Sequence, residues 1–185
     1  MLAVGDGDGT IRVLHVPSGQ LQEVHLASWC GPVQSVCFSP DGETLATCAG
    51  LGTVSLWNSR TWKPLRGFYA DGITGDLPFA ISAADWAPDG TALARANNRR
   101  GSVDILASQS GEVLHSLSVD DHIVTAVSWS PNGTVVVGVT KSGPVYLSDA
   151  ASGSRKPVPT LFSRSASVHA IAWMAEDGRL ITAGD

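Results

Sequence analysis

Val33-Gln-Ser-Val-Cys-Phe-Ser-Pro-Asp-Gly42 reads as a short strand that runs straight into a tight turn. The phrase returns as Ile81-Ser-Ala-Ala-Asp-Trp-Ala-Pro-Asp-Gly90 and as Val124-Thr-Ala-Val-Ser-Trp-Ser-Pro-Asn-Gly133. A fourth copy, Val168-His-Ala-Ile-Ala-Trp-Met-Ala-Glu-Asp-Gly178, carries an extra residue before its glycine. The aromatic positions Phe38, Trp86, Trp129 and Trp173 are spaced by 48, 43 and 44 residues. Alternating apolar and polar residues place every second side chain on one face of a strand. The Pro-Asp/Asn-Gly ending supplies the backbone angles that reverse the chain.

Working outward from each copy, a second strand follows the turn at Thr44–Thr47, Ala92–Arg95, Val135–Val137 and Leu180–Thr182. A glycine then opens a third strand at Gly52–Trp57, Gly101–Leu106 and Gly143–Ser148. A weaker fourth strand spans Lys63–Tyr69, Glu112–Val119 and Lys156–Ser163. The N-terminus enters the same frame late, with Leu2–Gly5 as a second strand, Gly9–Leu14 as a third and Gln20–Leu26 as a fourth. A four-strand unit recurring in phase every 43 to 48 residues is the arithmetic of a propeller blade. An antiparallel sandwich also has short strands and frequent turns, but it does not require one unit to recur in phase. The expected fold is therefore all-β, a β-propeller of about four four-stranded antiparallel blades. The expected divisions are a partial blade at 1–32, blades at 33–80, 81–123 and 124–167, and a partial blade at 168–185. Val36, Phe38, Trp86, Val127, Trp129, Ile171 and Trp173 lie on or beside the apolar phase of the first strand and are expected to be buried.

The pattern resembles the WD40-repeat family over essentially the whole chain. The resemblance rests first on the turns Phe38-Ser-Pro-Asp-Gly, Trp86-Ala-Pro-Asp-Gly and Trp129-Ser-Pro-Asn-Gly. It rests next on Asp8-Gly9 before a third strand, and on Trp57-Asn58 in place of the terminal Trp-Asp. In the family a His, an Asp, a Ser or Thr and a Trp hydrogen-bond across each blade. By residue-for-residue mapping, the 33–80 unit keeps Thr47 and Trp57 but has Leu51 at the Asp position. The N-terminal partial blade keeps Asp8 but has Leu14 at the Trp position, and the opening Gly-His is missing throughout. These are divergent repeats, held by apolar packing more than by that network. The resemblance implies rings of about seven blades, so these four are expected to be part of a larger ring. A fragment of a longer chain is favoured over two copies closing an eight-blade ring, or one chain closing as four blades.

Composition narrows the chemistry. The chain is 43% hydrophobic and 16% charged with a net charge of −5, a globular balance that disfavours direct nucleic-acid binding. Cys30, Cys37 and Cys48 are an odd set without metal-ligand spacing, and are read as free thiols. The opening Met1–Asp6 shows no secretory pattern, and no apolar run approaches the roughly 18 residues of a membrane span. An intracellular chain is expected, with the cytoplasm favoured over the nucleus and no membrane partner. There is no phosphate-binding loop, zinc helix or nucleophile elbow, and Asp6–Thr10 fails as a calcium loop because Ile11 stands where its glycine is expected and Pro17 where its bidentate Glu is. The histidines are scattered without paired spacing. No catalytic residue, metal or cofactor is expected.

The resemblance then implies a non-catalytic scaffold that binds other proteins or peptides. The alternatives are a sensor or regulatory arm of a larger signalling protein, or an enzyme with its site in a propeller channel. Self-association and a missing remainder of the chain both remain open as ways to complete the ring. Residues that obey the period are frame, and departures from it carry specificity. One departure is the long connection 70–80, with Asp71 and Asp76; another is Asn97-Asn98-Arg99-Arg100, whose guanidinium groups suit carboxylates or carbonyls on a partner. Trp29 and Trp62 lie off the repeat, and Trp29 is the aromatic anchor expected at an interface. The expected partner-binding set is Trp29, Asp71, Asp76, Asn98, Arg99 and Arg100, on one face.

Overall fold

β-branched and aromatic runs broken by glycine turns leave the chain little choice but short antiparallel strands. The computed structural model describes residues 1–24, 32–49, 53–68, 83–98, 100–119, 123–140, 145–157, 168–174 and 178–184. Among these, seventeen strands form five meander sheets and no helix occurs. The first sheet is β1 (Leu2–Gly5), β2 (Ile11–His15) and β3 (Gln20–Val24). Three four-stranded sheets follow. They are β4 (Val33–Phe38) to β7 (Pro64–Phe68) through β5 (Thr44–Ala49) and β6 (Thr53–Asn58); β8 (Ala84–Trp86), β9 (Ala92–Asn97), β10 (Ser102–Ala107) and β11 (Val113–Ser118); and β12 (Val124–Trp129), β13 (Val135–Thr140), β14 (Val145–Asp149) and β15 (Arg155–Lys156). β16 (Val168–Trp173) and β17 (Leu180–Gly184) make the last pair. Among the described residues the strands follow the order of the four-strand unit; most of the expected fourth strand at Lys156–Ser163 lies outside them, and β15 covers only Arg155–Lys156.

The turns show why the repeated phrase is needed. In the first copy the Ser39 hydroxyl donates to Asp41 Oδ1 at 2.5 Å, and that oxygen also accepts the Glu43 N–H at 2.9 Å. Gly42, Gly90 and Gly133 close their turns at φ of 71°, 73° and 70°, in the left-handed region that favours glycine. Even an irregularity recurs in phase: the pairing register shifts just after Val33, Val124 and Val168.

β4 lies against β8, β8 against β12 and β12 against β16, so the first strands form the inner row and consecutive sheets stack face to face. The apolar cores sit in the seams between sheets, not within them. Trp57 joins Ile11, Val13 and Val33; Trp86 joins Ala46, Leu56 and Phe68; Trp129 joins Ala92, Ala94 and Ile105. Because both of its faces are covered, β9 is buried along its whole length. Where blades approach closely, glycine is obligatory: the Phe68 ring occupies the space a Gly111 side chain would need, and Val33 does the same at Gly5.

Trp86, Val127 and Trp129 are buried as expected. Val36, Phe38, Ile171 and Trp173 are not; they are half-buried. The difference is one of neighbours. The sheet before β4 begins at a second strand, and among the described residues β16 has a sheet on one side only. Removing a large buried ring costs about 3–5 kcal/mol, whereas a half-exposed ring contributes less. Trp129→Ala is therefore expected to lower unfolding free energy by about that amount, and Trp173→Ala by clearly less, in paired urea titrations.

Candidate interaction site

Two departures from the repeat, Asn98 and Asp85, lie at the seam between the β8–β11 and β12–β15 sheets. At one end of the strands, the Asn98 amide makes two bonds to Val124: Oδ1 accepts its N–H at 2.8 Å, and Nδ2 donates to its carbonyl at 3.2 Å. Asn98 thus clamps the turn of one blade to the first strand of the next, a structural task that its place in the sequence did not announce. Arg100 is exposed beside it, with its backbone N–H on the Asn97 carbonyl at 3.1 Å. Trp29, Asp71, Asp76 and Arg99 lie outside the described residues. Trp62 is half-buried and packs on the first seam, with φ of 56°, so it is not a free surface aromatic.

Midway along the same seam, Asp85 crosses between blades. Its Oδ2 accepts the Trp129 backbone N–H at 2.9 Å and the Ser128 hydroxyl at 3.2 Å, while Oδ1 accepts the Trp86 N–H at 2.9 Å. Burial pushes this carboxyl above the ordinary aspartate range, against the pull of those three donors. The repeat has Cys37 and Ser128 at the matching positions, so Asp85 is visible in the sequence as a departure, though its direction toward the next blade is not.

At the far end the seam opens into a groove of about 580 Å³, with buried Ile105 and Trp129 among its walls and exposed Pro88, Asp89, Leu114, Asn132 and Ala151 around its mouth. Among the described residues, no group of three His, Cys, Asp or Glu side chains is placed to hold a metal. Cys37 and Cys48 are free; burial pushes the Cys48 thiol up to about 12, far from a reactive thiolate.

A second polar feature is hidden from sequence reasoning. Strand register matches Thr47 with Arg95 and Ser55 with Asp104. In the β4–β7 sheet, Trp57 Nε1 donates to Thr47 Oγ1 at 3.0 Å. One blade on, Leu106 replaces the tryptophan, and the Thr47 and Ser55 positions hold a buried ion pair, Arg95 Nη2 to Asp104 Oδ2 at 3.4 Å. Asp104 also accepts from Asn97 at 2.7 Å, Ser102 at 3.1 Å and Ser116 at 2.7 Å. Its charge is fully engaged, which is the condition under which a buried carboxylate is tolerated.

The sheet geometry has a sequence counterpart. The family model described as "WD domain, G-beta repeat" matches residues 20–58 and 111–143. Those two stretches match the WD40 repeat that the sequence pattern resembles. The chain's blades are 23% identical to eukaryotic translation initiation factor 3 subunit I of Pyricularia oryzae over 164 residues, 83% of this chain and 46% of that protein. They are 38% identical to apoptotic protease-activating factor 1 of Mus musculus over 80 residues, 39% of this chain and 6% of that protein. The meiotic recombination protein rec14 of Schizosaccharomyces pombe is 24% identical over 121 residues, 65% of this chain and 38% of that protein. The chain spans less than half the length of each of these relatives. WD40 domains typically mediate protein–protein interaction, which turns attention to surfaces and not to a catalytic constellation.

Two outcomes test the seam chemistry of these blades. Asp104→Ala leaves Arg95 buried without its carboxylate, and is expected to cost about 3–5 kcal/mol in urea unfolding. Asp85 runs the other way with pH. A carboxyl whose folded pKa is raised stabilises the fold most below its unfolded value of 3.8, and that contribution is lost as pH rises through the folded pKa. The stability advantage of the native chain over Asp85→Asn should therefore shrink as pH rises from 3.8 toward neutrality. A constant difference across that window would remove the assignment.

Proposed function

We propose that the chain is a non-catalytic protein-interaction scaffold whose partners dock on the blade face that carries Arg100. The supporting observation is an exposed arginine beside a rigid seat. Arg100 stands two residues after Asn98, whose amide is locked to the neighbouring blade. A planar donor fork held on a fixed turn suits carboxylates or carbonyls on another protein, and loses less freedom on binding than one on a loose loop. Trp29, Asp71, Asp76 and Arg99 complete the proposed set from neighbouring connections. Asn98 contributes by holding the turn. The relatives' names fit work done through other proteins: one is a subunit of a larger factor, and another activates a protease.

Double charge reversal, Arg99→Glu with Arg100→Glu, is expected to reduce capture of the bound partners by about ten-fold or more, since arginine is over-represented among interface residues that carry binding energy. The comparison is affinity capture with quantitative mass spectrometry on the native chain and the variant, both with intact melting transitions. An unchanged set of captured proteins would remove the arginines from the site.

A further inference from the structure

We infer that the groove at the opposite end of the same seam is a second docking site, which takes an extended segment of a partner protein carrying one large apolar side chain beside a lysine or arginine.

The groove exists because of specific residues. Register and turn hydrogen bonds align the two seams position by position, with Ser108 and Ala150 occupying the same place after their third strands. At the seam before it, the positions matching Ala87, Ala92, Ala150 and Ala151 hold Ser39, Thr44, Ser108 and Gln109. Each is the shorter or apolar member of its pair. Those truncations leave room in front of Ile105 and Trp129, where a bulkier repeat would fill it. Aromatic and aliphatic walls without a charged side chain deep in the space suit an apolar side chain.

The mouth selects charge. Asp89 is the one carboxylate among the lining residues. Its Oδ1 accepts the Thr91 N–H at 2.9 Å and the Thr91 hydroxyl at 2.8 Å, and these donors hold the carboxyl below the ordinary range. The anion is therefore fixed in place beside an apolar slot, and its complement is a cation. Strand β11 selects conformation. It is the outer strand of its sheet, and Leu114, 48% exposed, and His115 reach the groove from it. A partner running along that edge in extended form places alternate side chains toward the groove.

The probes are short fluorescein-labelled peptides with a central Leu, Phe or Trp between two lysines, and a matched set with glutamates in place of the lysines. Fluorescence polarisation with the full chain is expected to show binding of the lysine set, with the glutamate set at least about five-fold weaker. Ala151→Trp, at an exposed turn, is expected to block the mouth and abolish binding. Asp89→Asn keeps an amide oxygen for Thr91 but removes the charge, and should erase most of the preference for lysine. Arg100→Glu should leave peptide binding unchanged, so failure of the loop-face reading and failure of this one give different results. Absence of binding by either set, equal binding of both, an unaltered preference in Asp89→Asn, or native affinity in a folded Ala151→Trp each overturns the proposal.

Discussion

A four-stranded meander has two faces and can bury neither on its own. The whole architecture follows from that deficit. Each blade borrows its core from the next, and the borrowed element is the ring at the end of the first strand. Trp86 reaches back to the preceding blade, where its indole N–H meets the Cys37 carbonyl at 3.3 Å, and Trp129 covers Ala92, Ala94 and Ile105 in the same sense. Burial then tracks position in the row. The β9 and β10 strands, with a sheet on each side, are closed to solvent almost throughout, while Leu2, Val4 and Ile181 on the outlying second strands stay more than half exposed.

Polar groups inside the seams follow the same logic of neighbours. A lone carboxylate between apolar sheets is costly, and this chain keeps two partly or wholly buried ones by surrounding them with donors. Asp104 is satisfied within its own blade by three uncharged side chains and Arg95, so it stiffens the sheet. Asp85 directs two of its bonds to the next blade, so it fixes one sheet against another. Asn98 does the same at the strand ends. Where the resembled family's polar set is absent, with Leu106 in place of a tryptophan, the Thr47 and Ser55 positions hold Arg95 and Asp104. The positions are re-used by groups of a different kind.

The periodic part of this design is legible in the sequence because turn chemistry and strand alternation are local. Ser39, Asp41 and Gly42 act on each other within a few residues, so the order of their letters is enough to identify the turn. The strands among the described residues follow from that phrase and its spacing. What stays hidden depends on partners distant in sequence. Phe38 and Trp173 are less buried than their pattern implies, because the pattern reports which face is apolar, not whether another sheet arrives to cover it. Arg95 reads as a solvent-facing residue in an alternating strand until Asp104 is placed opposite it by the register. Asn98 stands out as aperiodic, but a departure from the repeat equally marks a clamp and a contact residue. Trp62 carries the same ambiguity.

The departures are nonetheless unevenly spread over the blades. Asp85, Asn98, Arg95 and the run of alanines around the groove are all departures, and all lie in or against the β8–β11 sheet. A blade serving only as frame has no physical need to differ from its neighbours, since the same seam chemistry closes every gap between them. Here one seam is tied by the Asp85, Asn98 and Arg155 side chains, and is left open at its far end where shorter residues line it. Clamping fixes the distance between two blades, and a fixed distance is what keeps a groove from collapsing onto small side chains. The extra bonds and the missing volume are two halves of one arrangement: the polar clamps make it possible to hold a cleft open between sheets that packing alone would draw together.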